Sequence, residues 1–258
     1  MSVGVAGAPA MMSPSASAGS GGDTSAGGAP LTAGASSLPS AGAATGGTES
    51  ETVAGAGGAL GGVITPVAMR SLVDDMEANV STILESDGRA GYWYTFNDGK
   101  GGTQLPAPFG PFVPDLSNGG YPGSTHARHT QGAGFTSYAG FGFDLNNRSG
   151  TRQVYDASAY TGIVLWTRGN VKLRALFATR ATAPMNEGGT CTSNCNDSFG
   201  FDLAPSQEWI EQTVPFTSLA QSGYPSAGAF DPQALLGIAF TVPPGNEFDV
   251  WVDEIGFY

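Results

Sequence analysis

Basic residues are scarce in this chain. Ten Lys and Arg stand against 22 Asp and Glu in 258 residues, a formal net charge of −12. With so few cations there is no patch to neutralise phosphates and release counterions, which excludes nucleic acid as a partner. An anionic membrane surface is excluded on the same ground. No run approaches the roughly 18 apolar residues of a membrane-spanning helix. No Gly-x-Ser-x-Gly elbow offers a serine nucleophile. Asn97-Asp-Gly-Lys-Gly-Gly-Thr103 is Gly-rich and carries a Lys, but it lacks the Walker spacing and reads as a turn.

Aromatic residues are missing from the first 91 positions: all 26 lie between Tyr92 and Tyr258. Of residues 1–62, 50 are Gly, Ala, Ser, Thr or Pro, with only Asp23, Glu49 and Glu51 charged. Such side chains bury too little to offset an ordering cost of roughly 1–2 kcal/mol per residue. Residues 1–62 therefore read as a disordered, low-complexity linker, and 63–258 as one folded domain of net charge −9, ten bases against 19 acids. The first residues lack the basic and apolar regions of a secretory leader, so taken literally the chain is cytoplasmic. A small-residue tether ahead of a folded domain is nevertheless the arrangement of a surface-anchored protein, such as a lipoprotein, after its leader is removed. The expected location is therefore extracellular or at the cell surface.

What the domain does contain is short runs of β-branched and aromatic residues punctuated by Gly, Pro, Asn and Asp. Val171, Leu173, Ala175 and Phe177 alternate with Lys172 and Arg174, a half-buried strand of period two. Residues 162–168 are apolar on both faces and predict a central strand, and 248–258 predict a closing one. Further strands are expected at 71–77, 91–97, 125–131, 133–145, 209–216 and 235–242, with a single helical turn at Asp231-Pro-Gln-Ala-Leu235. Strands without intervening helices predict an all-β fold, an antiparallel β-sandwich or jelly roll. A monomer is expected.

The two cysteines, Cys191 and Cys195, and the two histidines, His126 and His129, allow three readings. These are a disulfide closing a small loop in an oxidising compartment, a Cys2His2 zinc site, or two free thiols. Asp75 and Glu77 near the domain's start, with Asp253 and Glu254 near its end, suit a hard cation such as Ca²⁺ and would staple the two terminal strands. Aromatics carry the strongest functional signal. Tyr92-Trp-Tyr-Thr-Phe96, Tyr138, Tyr160 and Trp166 exceed what a core of this size needs, and aromatic planes pack against the apolar faces of sugars. His126, Arg128, Arg174 and Arg180 are the polar candidates beside them.

Three motifs, Leu72-Val-Asp-Asp-Met-Glu77, Gly91-Tyr-Trp-Tyr-Thr-Phe-Asn-Asp98 and Ala133-Gly-Phe135 with Gly140-Phe-Gly-Phe143, resemble those of family 11 carbohydrate-binding modules and related galactose-binding-like sandwiches. Tyr155–Ile163 and the closing Phe248–Ile255 extend the resemblance, which covers about residues 70–258. The chain also resembles exported myxobacterial-type proteins that carry such a domain behind an Ala/Gly/Ser-rich linker, with a Gly-Gly-Thr-Cys…Cys-Asn-Asp loop like that from Gly188 to Asp197. The resemblance implies a two-sheet jelly roll that binds a β-glucan-like polysaccharide and holds a structural Ca²⁺ on Glu77 and Asp253, with Asp75. The expected ligand residues are Tyr94, His126, Arg128, Tyr138, Trp166 and Arg174. The leading expectation is thus a non-catalytic polysaccharide-binding domain. A jelly-roll glycoside hydrolase or polysaccharide lyase is the alternative, and a structural or protein-interaction module is a third.

Overall fold

The computed structural model describes residues 68, 69, 71–115, 119–223 and 228–258. The expected linker, 1–62, lies outside the described residues. Among the described residues eleven strands follow one another: β1 (Ser71–Asp74), β2 (Trp93–Asn97), β3 (Thr103–Leu105), β4 (Arg128–Ala133), β5 (Ala139–Asp144), β6 (Gly162–Gly169), β7 (Leu173–Thr179), β8 (Phe199–Leu203), β9 (Ile210–Pro215), β10 (Leu235–Val242) and β11 (Phe248–Phe257). Every pairing among them is antiparallel. The six-stranded sheet runs β3-β4-β11-β6-β9, with β1 also on β11, and the five-stranded sheet runs β2-β5-β10-β7-β8.

Period-two alternation sends one set of side chains from each sheet into a shared core. From the five-stranded sheet these are Trp93, Phe141, Phe143, Leu173, Phe177, Phe199, Ile238 and Phe240. From the six-stranded sheet they include Ile163, Leu165, Val214, Phe248, Val250, Val252 and Phe257. Each such side chain contributes about 1.5–3 kcal/mol by leaving water. The strand β10 lies between β5 and β7 and is apolar and buried apart from the half-buried Thr241.

Three sequence expectations need adjusting. The first strand stops at Asp74, because the Asp74 carboxylate accepts the Met76 N–H at 3.1 Å and Met76 turns to φ 60°. The run 133–145 contains a turn, so β4 ends at Ala133 and β5 begins at Ala139. Two strands were not anticipated, the three-residue β3 and the Phe199-Gly-Phe-Asp-Leu203 strand β8. The helical turn is present at Pro232–Ala234, where the Asp231 side chain accepts the Gln233 N–H.

Candidate functional site

The outward positions of the five-stranded sheet form two cross-strand rows. One is Tyr94–Gly142–Ala239–Leu176–Gly200, and its neighbour is Phe96–Gly140–Thr241–Arg174–Asp202. The first row is filled in. Tyr94 and Leu176 close over Ala239, and all three are buried. The second row stays open, with Phe96, Thr241 and Arg174 half-buried and Asp202 exposed. Glycine shapes its floor. A Cβ on Gly140 would lie 2.8 Å from the Phe96 ring, and one on Gly200 would lie 2.5 Å from Arg174 Nε. The ring and the guanidinium therefore lie down over bare backbone.

Tyr138 extends the aromatic end of the open row, with ring centroids 6.4 Å from Phe96 and a further 6.2 Å from Phe96 to Tyr94. At the polar end Arg174 Nη1 donates to Asp202 Oδ1 at 2.6 Å and Nη2 to the Ala220 carbonyl at 3.0 Å. Those two bonds fix the plane of the guanidinium. Such a surface has apolar ring area at one end and a fixed donor–acceptor pair at the other.

Beyond the filled row the face is closed by a buried ion cluster. Arg152 Nε lies 2.9 Å from Asp144 Oδ1, and its Nη1 lies 3.5 Å from Glu187 Oε2. Asn147 donates to Asp144 at 2.7 Å and to the Tyr92 hydroxyl at 3.0 Å. Burial works against the Arg152 charge, but Asp144 together with Tyr94, Glu187 and Tyr92 outweighs it, so its pKa is raised. Burial, with the Asp144 charge, also pushes the Tyr94 phenol up. Asp144, Arg152 and Glu187 are all buried, so this acid pair is held as an internal ion cluster and not presented to solvent.

Tyr94, Tyr138 and Arg174 thus share one face of the domain. The other expected ligand residues do not join them. Arg128 faces inward from β4: it is 1% exposed, lies under Trp93 and Phe112, and pairs with Asp74. This corrects its assignment as a ligand residue, since no solute reaches it. Trp166 projects from the outer side of the six-stranded sheet, where Tyr121 stacks on it at 4.6 Å. His126 lies in the loop before β4, with Nδ1 3.1 Å from Glu77 Oε2. Phe96, Thr241 and Asp202 were not anticipated individually. The alternation Phe199, Phe201, Leu203 in β8 was the available signal, because it leaves Asp202 pointing outward.

The cysteines are joined, Cys191 to Cys195, which settles the three readings in favour of the disulfide. The histidines lie elsewhere: His129 stacks flat on Trp251, with centroids 3.8 Å apart.

Glu77 and Asp253 are brought together through the loop before β4. Glu77 accepts hydrogen bonds from the Ser124 hydroxyl at 2.7 Å, the Thr125 N–H at 2.8 Å and the His126 N–H at 3.2 Å, and from the Thr125 hydroxyl. Asp253 accepts the Tyr121 N–H at 3.0 Å and the Glu254 N–H at 2.8 Å. Asp75 accepts the Glu77 N–H at 3.2 Å. The hydrogen bonds lower both acids and burial raises both, but the balance falls in opposite directions. Burial would raise Glu77, but the Thr125 and Ser124 hydroxyls and the two N–H groups win and hold it at about 2. Burial of Asp253 prevails over its hydrogen bonds and lifts it to about 7. Glu254 is raised as well, by burial and then by the Asp75 charge. A set of acids offering only oxygen donors fits the chemistry of a hard cation. Among the described residues no three His, Cys, Asp or Glu side chains stand as a ready metal cluster.

No family model matches the chain, and no curated protein does. Solved structures do match. The family 11 carbohydrate-binding module from Clostridium thermocellum, in complex with a β-1,3-1,4-mixed-linked tetrasaccharide, is 15% identical. The match covers 74% of this chain and 96% of that one, with a TM-score of 0.50. The solution structure of CtCBM11 is 16% identical over 76% of this chain and 97% of that one, also with a TM-score of 0.50. At these identities the likeness is one of architecture: the chain has the β-sandwich fold of family 11 carbohydrate-binding modules.

Proposed function

We propose that the domain is a non-catalytic polysaccharide-binding module, tethered outside the cytoplasm by its Gly/Ala/Ser-rich linker. A β-glucan-like chain lies along the open row of the five-stranded sheet. The observation that carries this is the continuity of Tyr138, Phe96, Gly140, Thr241, Arg174 and Asp202 across five adjacent strands. Pyranose C–H faces pack on the rings of Phe96 and Tyr138. The Arg174–Asp202 pair supplies hydrogen-bond donors and acceptors for ring hydroxyls. Five strands roughly 4.8 Å apart span about 19 Å, the length of about four β-linked pyranoses. The solved family 11 module in complex with a tetrasaccharide supports this reading by its fold.

We further propose that Ca²⁺ binds beside the loop that joins Glu77 to Asp253, with Asp75 contributing. The cation supplies a counter-charge to Asp253 and Glu254 and ties β11 to the chain just after β1. Its role is structural and remote from the open row.

Affinity electrophoresis through gels carrying soluble β-glucan, xyloglucan, mannan or galactan tests the binding assignment. Retardation by a β-glucan, with no reducing ends released on prolonged incubation, is the expected result. Free migration in every gel would overturn it.

A further inference from the structure

The outer face of the six-stranded sheet carries a second concentration of aromatic and charged side chains. Val250 and Val252 enter the core, so Trp251 between them points outward. Across the strands it faces His129 of β4 on one side and Arg168 of β6 on the other. Trp209, just before β9, continues the row, because Thr167 and Ile210 are paired one step along. The four side chains form a stack. His129 lies flat on Trp251 with centroids 3.8 Å apart. The Arg168 guanidinium carbon lies 4.7 Å from the Trp251 ring centre and 5.1 Å from that of Trp209.

Arg168 differs from the ion-paired arginines. Arg89, Arg128, Arg148, Arg152 and Arg174 each meet a carboxylate. The Arg168 guanidinium has an indole on either side and, among the described residues, no hydrogen bond or ion pair. Its nitrogens are not among the buried polar atoms that lack a partner, so they open to solvent. Stacking covers the two faces of the group and leaves its rim, where five N–H donors point. The rings also hold the side chain in place, so little freedom is lost when a ligand binds. A planar donor fork fixed in this way matches the two oxygens of a carboxylate, and the flanking apolar rings strengthen the pairing by displacing water.

The surroundings of this cation are acceptors and amides. One oxygen of Asp249 takes His129 Nε2 at 2.8 Å and the Trp251 indole N–H at 3.1 Å, and the side chain is 52% exposed. Gln131 and Asn170, both exposed, flank Asp249 on either side. Glu211 lies in the next row, opposite Trp166. A single fixed cation in such company suits a ligand with one carboxylate and several hydroxyls, which is the makeup of a uronate sugar. The carboxylate takes Arg168, and the hydroxyls bond to Asp249 and the amides. A peptide or polymer with a carboxylate on every unit is repelled by Asp249, Glu211 and the acidic excess of the domain.

We propose that Arg168, clamped between Trp209 and Trp251, is a second binding site, which takes the carboxylate of a uronate unit on an otherwise neutral glycan. The site lies on the other sheet from the open row and stands independently of it.

Isotope-labelled protein titrated with methyl β-glucuronide, followed through its indole N–H resonances, gives the test. The Trp209 and Trp251 signals should shift, and the signal of the core residue Trp93 should not. Methyl β-glucoside, with a hydroxymethyl group in place of the carboxylate, should move none of them. Added salt should weaken the glucuronide response. Arg168→Lys keeps the charge and loses the planar fork, so glucuronide affinity should fall about tenfold, while β-glucan affinity stays that of the parent. Urea unfolding checks that the variant is folded. Unmoved Trp209 and Trp251 signals in the parent, or equal shifts with the glucoside, would overturn the proposal whatever the variant does. So would full glucuronide affinity in folded Arg168→Lys, or tighter binding of a blocked diglutamate peptide than of the glucuronide. Free migration of the parent in β-glucan gels would remove the reading of the open row and leave this one intact.

Discussion

Arg128 Nη2 lies 2.9 Å from Asp74 Oδ2, and both side chains are buried at the centre of the sandwich. The guanidinium also donates to the carbonyls of Phe112 and Val80 and lies 4.9 Å from the Trp93 ring. Asp74 in turn accepts the Trp93 indole N–H at 2.6 Å. One carboxylate therefore joins β1, β2 and β4. Removing one partner of a buried pair leaves the other charge unpaired, at a cost of about 3–5 kcal/mol. Arg128→Met and Asp74→Ala should each lower the urea midpoint by that equivalent, or fail to fold. Sugar affinity of the folded fraction should stay unchanged. A fully stable Arg128→Met protein with weakened sugar binding would return Arg128 to the ligand face.

The contrast between the two outer faces gives a second prediction. Tyr138→Ala and Arg174→Ala should weaken β-glucan binding by about tenfold, the effect of roughly 1.4 kcal/mol. Their stability cost should be small, because the Arg174–Asp202 pair is partly exposed and such pairs contribute about 0–1 kcal/mol. Trp166→Ala should do the reverse. It loses the stack on Tyr121 and with it stability, and leaves affinity unchanged. Paired titration and unfolding data on the three variants decide this. Loss of affinity only in Trp166→Ala would move the site to the six-stranded sheet.

The positions of Arg128 and Arg174 show what the sequence carried and what it did not. The sandwich was legible because β7 and β11 alternate and β6 and β10 are apolar runs, over seven to ten residues. Leu173, Ala175 and Phe177 going inward put Arg174 outward by the same count, so Arg174 was placed on a surface correctly. Arg128 gave no such signal. Its partner Asp74 is 54 positions away and belongs to another strand, and a buried arginine is unusual enough that exposure is the natural expectation. The strand β3 is three residues long, below the length at which alternation can be recognised. The closed half of the site was hidden for a related reason. Asp144, Arg152 and Glu187 come from three separate stretches of chain, and none of them shows local patterning.

The opposed titrations of Glu77 and Asp253 set a pH profile. Glu77, held at about 2 against a usual 4.5, contributes stability above 4.5 that is lost as the pH falls through 2. Its side chain is 37% exposed, so solvent screening reduces this contribution. Asp253, lifted to about 7 from a usual 3.8, contributes stability below 3.8 that is lost as the pH rises through 7. In EDTA the melting temperature should therefore peak near pH 4–5 and fall towards pH 7.5. A bound cation favours the ionised carboxylates, so millimolar Ca²⁺ should raise the melting temperature at pH 7.5 and flatten that fall. Identical melting curves at pH 7.5 in EDTA and in Ca²⁺ would remove the metal proposal.

The disulfide should prove a minor contributor to stability. Cys191 and Cys195 are four positions apart, and closing so short a loop removes little freedom from the unfolded chain, about 2 kcal/mol in the chain-entropy treatment. The segment around it is also tied by backbone bonds from Thr190 to the Arg180 carbonyl, Cys191 to Ala183 and Asn196 to Thr182. Those bonds persist without the sulfur link and keep Glu187 on Arg152. The double substitution of Cys191 and Cys195 to Ser should therefore fold, lose at most about 2 kcal/mol by urea titration, and bind β-glucan oligosaccharides as the parent does. Alkylation with and without reductant, read as a mass difference, checks the starting state of the parent. A large loss of sugar affinity in the double variant would mean that the bond, and not the hydrogen bonds around it, positions the closed side of the binding face.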